Sequence, residues 1–201
     1  GADPFGDLGT TNVATPLVAV LPSGETVVVW REYRNLGLGD GTTYDVLAQM
    51  LDADGAPLGA SFLVSETLGG HQYPQALTLT ADGGFAVGWT GRGEGGTSSA
   101  YVRIFDGSGA AQTGEIRVSD TDSATSMDLV ALEDGRLLAA WHYSSDLEAQ
   151  LLTSSGARLD SNFKINDLTN GADGGGALAA LPGGGVVAFW EEASGLQSRL
   201  F

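Results

Sequence analysis

Apolar runs that end in tryptophan occur four times along this chain. Each run follows a turn that contains glycine, and successive runs lie roughly 50 to 60 residues apart. The four runs are Val27-Val28-Val29-Trp30, Ala86-Val87-Gly88-Trp89, Leu138-Ala139-Ala140-Trp141 and Val187-Ala188-Phe189-Trp190. Repeats of about this period are typical of solenoids, propellers and repeat arrays. The pattern therefore predicts a fourfold internal repeat.

Alignment on the tryptophans predicts four short strands in each of the first three units, joined by turns with glycine. In the first unit the strands are predicted at 17–21, 26–30, 44–51 and 61–64, and a long polar connection is predicted at 31–43. Later strands are predicted at 76–79, 85–89, 100–105, 115–118, 129–132, 136–141, 147–152, 162–165, 177–181, 186–190 and 197–201. The fourth unit thus lacks its last strand.

The strand that ends in tryptophan is apolar at consecutive positions rather than at alternate ones. Such a strand is typically covered on both faces. A tryptophan buried there removes about 150–250 Å² from water, worth roughly 4–6 kcal/mol at about 25 cal/mol per Å². We expect the four tryptophans to pack neighbouring blades together rather than to bind a ligand.

These elements predict an all-β fold with one domain over residues 1–201. The expected architecture is a β-propeller of four blades, each a four-stranded antiparallel sheet, with the ring closed by an N-terminal strand. The repeat units are placed at about 13–66, 71–120, 125–167 and 174–201, and residues 2–8 are expected to supply the missing strand. An eight-bladed ring formed by two chains is the alternative, so monomer and homodimer both stay open.

Composition narrows the classes of partner. The formal net charge is −16, from 25 acidic and 9 basic residues, which disfavours nucleic acid and anionic membrane surfaces. No apolar run approaches the roughly 20 residues of a membrane-spanning helix. The chain has no cysteine, which excludes disulfides and thiolate chemistry. No signal-peptide pattern opens the sequence, so an export signal is expected to be absent or removed.

Two segments resemble repeats of very large secreted bacterial proteins. Residues 74–89 and 47–59 are similar to repeats of RTX-type, calcium-associated adhesins and hemolysin-like exoproteins. The resemblance implies a propeller-like module of an exported or cell-surface protein, with an attachment or carbohydrate-related role, and it brings no catalytic motif with it. The glycine-rich nonapeptide that binds calcium in that family does not occur in this chain.

Acidic residues follow the last strand of three units and suggest a cation site. Glu66, Asp120 and Asp167 occupy this position. We expect them on the same face as Asp40, Glu94, Asp146, Glu191 and Glu192, which would make that face strongly negative. Calcium takes six to eight oxygen ligands, so such a ring of carboxylates is a candidate calcium site. The alternative is that these residues are solvated acids in turns.

Candidate ligand-binding residues cluster in the connections on the same face. They are Arg31, Tyr33, Arg34, His71, Tyr73, His142 and Glu191. The long connection at 31–43 supplies three of them, and long loops on rigid scaffolds often carry binding residues. The alternative for both histidines is an ordinary surface or packing role. No nucleophile elbow or clustered histidine metal motif occurs.

The sequence predicts a non-catalytic binding or adhesion module that contacts a glycan or a protein surface, with calcium assisting. One alternative is a polysaccharide-acting hydrolase or lyase, which requires catalytic groups converging in one cleft. The other is a purely structural spacer repeat.

Overall fold

The computed structural model describes residues 14–34, 43–67, 70–92, 97–166, 176–192 and 195–201. Within these residues the chain forms four antiparallel sheets and no helix. Accordingly, no helix of the described part is long and apolar enough to cross a membrane. The predicted all-β class is confirmed.

Each sheet, here called a blade, is a meander whose strands pair in chain order. Blade 1 contains β1 (Ala14–Val20), β2 (Thr26–Arg34), β3 (Thr43–Leu51) and β4 (Phe62–Leu63). Blade 2 contains β5 (Gln72–Leu79), β6 (Phe85–Arg92), β7 (Ser98–Phe105) and β8 (Ile116–Arg117). Blade 3 contains β9 (Ala124–Ala131), β10 (Leu137–Tyr143), β11 (Asp146–Leu152) and β12 (Arg158–Lys164). Blade 4 contains β13 (Ala177–Ala180), β14 (Val186–Glu192) and β15 (Gly195–Leu200).

Three of the four tryptophans lie between described blades, as predicted. Trp89 belongs to the core cluster between blades 1 and 2, Trp141 to that between blades 2 and 3, and Trp190 to that between blades 3 and 4. All four tryptophan side chains, including Trp30, are buried. Successive strand residues point to opposite faces, so Ala86 of β6 and Leu138 of β10 face the following blade. These two strands therefore each contribute to two blade interfaces.

Three core clusters join the four blades in series, and none of the described clusters joins blade 4 to blade 1. The outer faces of these two blades expose apolar side chains, among them Val18, Val20, Phe189 and Leu200. The described blades thus form an arc like part of a propeller. The closing strand predicted at residues 2–8 lies outside the described residues.

The central strands are longer than predicted at one end of the blades, which we call the upper edge. There β2 continues past Trp30 to Arg34 and pairs with β3, whose first residue is Thr43. Arg31, Tyr33 and Arg34 are therefore strand residues, and the prediction that they belong to a loop is wrong. Backbone pairing with β3 extends the strand over these residues, although they are polar and do not show the apolar pattern of a strand.

The residue that accepts the hydrogen bond from the tryptophan N–H group differs between blades 2 and 4. The indole N–H of Trp89 donates to Oε1 of Gln72, 3.1 Å away, whereas that of Trp190 donates to Oε1 of Glu192, 2.6 Å away. The side chain of Gln72 passes over Gly91, where an added Cβ would lie 1.7 Å from Oε1. Gly91 and Glu192 occupy the same place in their blades, two residues after tryptophan. Glycine is required there when the acceptor comes from the neighbouring strand.

The turns at the opposite, lower edge hold ionised carboxylates. Asp106 accepts hydrogen bonds from the hydroxyl and N–H of Ser108 and from the N–H of Ala110. The Ser108 hydroxyl is the main reason that the pKa of Asp106 lies below its ordinary value. The hydroxyl of Thr80 similarly lowers the pKa of Asp82. These bonds favour the ionised form of both side chains.

This arrangement predicts a loss of stability in acid. A carboxyl whose pKa is lower in the folded state stabilises the fold above its unfolded pKa of about 3.9, and the contribution is lost as the pH falls through the folded value. We expect the urea midpoint to drop between pH 5 and pH 3, and Asp106→Asn to reduce that drop. The control is Asp54→Asn, because the carboxylate of Asp54 accepts no hydrogen bond from the described residues. An unchanged acid response in Asp106→Asn would contradict the assignment.

Candidate active site

Bulges in the first strands of two blades redirect side chains at the upper edge. In β5 the pairing with β6 skips Gln75, and in β9 the pairing with β10 skips Ser126. Ser126 has a positive φ of 40°, which is uncommon for a residue with a side chain. The Oε1 atom of Gln75 accepts the backbone N–H of Met127 at 2.9 Å and so links the two bulges. Bulges of this kind often aim side chains into functional sites.

A cavity of about 430 Å³ lies at these bulges, where blades 1, 2 and 3 meet. Its volume is in the range of small-molecule sites. The lining residues are Arg31, Tyr73, Pro74, Gln75, Thr90, Ser98, Ala124, Thr125 and Ser126. The wall thus combines one guanidinium, one phenol and several hydroxyl groups.

An aromatic cluster adjoins this cavity. The ring of Tyr44 lies 5.0 Å from Tyr33, 5.1 Å from His71 and 6.3 Å from Tyr73, measured between centroids. The guanidinium of Arg31 lies over two of these rings, 4.8 Å from Tyr44 and 5.1 Å from Tyr73. Such stacking holds a cation by attraction to the ring face. Arg31 therefore bridges blade 1 and blade 2 at the mouth of the cavity.

His71 is fixed by the same cluster. Its Nδ1 atom accepts the backbone N–H of Tyr44 at 3.2 Å. A ring nitrogen that accepts carries no proton, so the neutral imidazole has its proton on Nε2. Its ring also lies 6.2 Å from that of Tyr73.

The structure brings together four of the seven predicted ligand-binding residues. Arg31, Tyr33, His71 and Tyr73 all belong to this cluster or line the cavity. Arg34 ends β2, where its backbone pairs with Thr43. Arg31 and Tyr33 lie on β2 and Tyr73 lies on β5, while His71 directly precedes β5, so the four come from two neighbouring blades.

His142 and Glu191 follow Trp141 and Trp190, as Arg31 follows Trp30. The side chain of Glu191 is exposed on blade 4 and belongs to no described contact of the cluster. His142 is only 9% exposed, which corresponds to the packing role that the sequence left open as the alternative to ligand binding. Its backbone pairs with Thr125 inside blade 3, because β10 extends beyond Trp141.

The predicted cation ligands have basic partners in other blades. Glu66 Oε1 lies 2.6 Å from a guanidinium nitrogen of Arg103, and Asp120 Oδ1 lies 2.6 Å from one of Arg158. Asp146 forms a further pair with Lys164. Asp167, Asp40 and Glu94 lie outside the described residues. Among the described residues no group of three acidic or histidine side chains is placed to hold a metal ion.

The pairs of Glu66 and Asp120 belong to a contact that repeats between blades, whereas that of Asp146 lies within blade 3. Arg103 also donates to the carbonyl oxygen of Val64 at 2.9 Å, at the end of blade 1. Arg199 likewise donates to the carbonyl oxygen of Ile165 at 2.9 Å, at the end of blade 3. Between blades 2 and 3 the amide of Asn162 takes this role and donates to the carbonyl oxygen of Val118. We call these interactions the blade clamp.

A second cavity, of about 560 Å³, lies between blades 2 and 3 at the lower edge. Its carboxylates are engaged in their own turns: Asp82 accepts from Thr80, and Asp134 is paired with Arg136. Its wall has no aromatic ring among the described lining residues. The smaller upper cavity is therefore the better candidate site.

The sequence did not single out several residues of the upper cavity. Tyr44 is an ordinary residue near the start of a regular strand, so nothing in the sequence distinguishes it. Gln75 and Ser126 face the cavity because of the bulges, which the sequence pattern does not show. One signal was available, because Thr90 occupies the position directly after tryptophan that Arg31 occupies in blade 1.

Comparison with known proteins gives a fold but no family. No family model and no curated protein matches this chain. Among solved structures it is similar to a Hadza microbial sialidase, Hz136 (TM-score 0.61, 11% identity, 94% of this chain and 44% of that chain), and to an α-L-arabinanase of Penicillium chrysogenum solved with arabinobiose (0.61, 14%, 100% and 60%). It is also similar to the polysaccharide lyase Uly1 (0.51, 9%, 92% and 58%). The chain thus spans about half the length of these proteins.

The comparisons define the fold as β-propeller-like and correct one functional prediction. The similar structures are of glycoside hydrolases and a polysaccharide lyase. They contradict the prediction of a non-catalytic adhesion module and favour its alternative of a polysaccharide-acting enzyme. At these identities the likeness itself extends to the fold alone.

Proposed function

We propose that this protein is a polysaccharide-acting enzyme whose glycan substrate lies in the upper cavity. The observation that carries the proposal is the convergence of three blades on one cavity whose wall offers ring faces, hydroxyl groups and a guanidinium. Ligand sites typically combine an apolar or aromatic wall with a few oriented polar groups. The names of the similar sialidase, arabinanase and lyase support the choice of a glycan.

Different residues of the cavity wall offer different contacts to a sugar. The exposed part of Tyr73 offers an apolar ring face with a polar tip. Thr90 offers a hydroxyl group, and the hydroxyl oxygens of Ser98 and Thr125 can accept hydrogen bonds while their protons are donated to the carbonyl oxygens of Ala124 and His142. A sugar ring presents the complementary surfaces, with C–H groups on its faces and hydroxyl groups on its rim.

A panel of soluble polysaccharides tests the proposal. We expect the purified protein to release reducing ends from at least one member, and we expect Tyr73→Ala to lower that rate at least tenfold. Ser154→Ala, in the lower cavity, is the matched control and should retain the rate. No release from neutral or acidic members would refute the proposal, and equal loss in the two variants would place the site elsewhere.

Four expectations from the sequence accompany this proposal as predictions. They are closure of the ring by residues 2–8, assistance by calcium at Glu66, Asp120 and Asp167, relation to RTX-type exoproteins, and a secreted or cell-surface location. For calcium to bind, Glu66 and Asp120 would have to exchange Arg103 and Arg158 for the ion. That exchange would stabilise the protein by mass action, so added calcium would raise the melting temperature.

A further inference from the structure

The charge of the upper cavity comes from one side chain. Arg31 is the only lining residue among those described that carries a formal charge, and Tyr73 is the only other one that can titrate. The acids expected to make this face negative are partly neutralised, since Glu66, Asp120 and Asp146 have basic partners. Arg31 is thus the one formal charge on the described wall of the cavity, in a chain of net charge −16.

Arg31 has no carboxylate partner within the described part of the chain. Five other basic residues form ion pairs there: Arg103, Arg117, Arg136, Arg158 and Lys164. The Nε atom of Arg31 is buried and has no hydrogen-bond acceptor among the described residues. A buried donor without an acceptor is costly, and a ligand that supplies the acceptor removes that cost.

The guanidinium is also held in place before any ligand arrives. The rings of Tyr44 and Tyr73 contact it from two blades, at 4.8 and 5.1 Å from its carbon. Contacts with ring faces leave the N–H groups along the guanidinium edge for another partner. That edge matches the two oxygens of a carboxylate. The arrangement therefore favours a planar anionic group with two oxygen atoms, such as a carboxylate.

We propose, as an extension of the proposed function and resting on it, that the cavity takes a uronic acid unit of an acidic polysaccharide and cleaves the chain there by β-elimination. Arg31 binds the carboxylate, and Tyr73 is the catalytic residue. Hydrolysis by the usual route requires two carboxylic acids beside the bond, and the described lining residues contain none. Elimination requires instead a cation at the carboxylate and a base at the neighbouring carbon.

The step balances within substrate and protein. The guanidinium stabilises the negative charge that develops on the carboxylate when C5 loses its proton. The phenolate oxygen of Tyr73 accepts the C5 proton, and the C5–H electron pair forms the C4–C5 double bond. The C4–O bond breaks, and the leaving oxygen takes this proton from the Tyr73 hydroxyl, which returns Tyr73 to its starting form. The products are a new non-reducing end with an unsaturated uronate and a shortened chain.

The experiment compares acidic and neutral polysaccharides by two readouts. Polygalacturonate, alginate and glucuronan are incubated with the wild-type protein beside neutral arabinan, and both reducing ends and the ultraviolet absorbance of the unsaturated uronate are followed. We expect both signals to rise together with an acidic substrate. Arg31→Gln should lower kcat/KM roughly 100-fold, and Arg31→Lys should retain part of the activity because it keeps the charge.

Tyr73→Phe separates the chemical role from binding. It keeps the ring beneath Arg31 but removes the phenol oxygen, so we expect kcat to fall roughly 100-fold or more with little change in KM. Circular dichroism melting of each variant checks that it folds, and retained activity in Arg31→Lys covers the case in which Arg31→Gln does not fold.

The outcomes separate this inference from the broader proposal. Reducing ends from arabinan without the ultraviolet signal would overturn the inference and leave a polysaccharide-acting enzyme. Unsaturated product that is insensitive to Arg31→Gln and Tyr73→Phe in folded protein would also overturn it. No reaction with any substrate would overturn both.

Discussion

Replacing Trp89 by alanine is expected to destabilise the protein by about 3–5 kcal/mol, a large part of the stability of an ordinary domain. The side chain is fully buried between blades 1 and 2 and stacks on Tyr101, with 5.7 Å between ring centroids. Its N–H group also donates to Gln72. The substitution removes packing from both blades at once, and urea unfolding followed by circular dichroism measures the loss.

Two variants make this measurement specific. Trp89→Phe keeps most of the buried area but removes the donor to Gln72, so it should cost clearly less than alanine. Leu196→Ala removes an apolar side chain that is 73% exposed on blade 4 and should change stability by no more than about 0.5 kcal/mol. A Trp89→Ala cost as small as that of Leu196→Ala would refute a role in joining the blades.

Replacing Arg103 by alanine should have the second largest effect, about 2–3 kcal/mol. Arg103 is mostly buried and donates to the carbonyl oxygens of Val64 and Thr113, in addition to its pair with Glu66. Hydrogen bonds from charged groups contribute roughly 1.5–3 kcal/mol each. The alanine variant leaves these carbonyl oxygens without their donor. The same urea unfolding assay measures the change.

Glu66→Gln tests whether the ion pair with Glu66 or the hydrogen bonds to carbonyl oxygens account for the contribution of Arg103 to stability. The carboxylate of Glu66 is half exposed, and exposed ion pairs contribute only about 0–1 kcal/mol. We therefore expect a small loss in Glu66→Gln and a weak coupling between the two residues in a double-mutant cycle. If Glu66→Gln costs as much as Arg103→Ala, the ion pair rather than the carbonyl contacts holds the blades together.

The fold could be predicted from the sequence because the same apolar strand is required in every repeat unit. A strand between two blades must be apolar on both faces, and that requirement produced the four runs ending in tryptophan. The strand ends were harder to predict, since residues such as Tyr33 and Arg34 are polar and belong to a strand only through pairing with β3. Pairing between strands depends on partners that the local pattern does not contain.

The candidate site was partly predictable for a related reason. Arg31, His71 and Tyr73 were predicted from their places in the connections between strands on one face. The basic partners of Glu66 and Asp120 could not be predicted, because they come from later blades and the local sequence does not contain them. The bulge residues Gln75 and Ser126 were missed, since an alternating pattern gives no sign of an extra residue.

The position directly after each tryptophan separates stability from chemistry in this repeat. It holds Arg31, Thr90, His142 and Glu191 in the four blades, while the tryptophan beside it stays constant. Arg31 and Thr90 line the upper cavity from this position, whereas the indole of Trp89, next to Thr90, packs against the preceding blade. In blade 2 the residue that joins the blades and the residue that lines the cavity are therefore direct neighbours in the sequence, with their side chains on opposite faces of the strand.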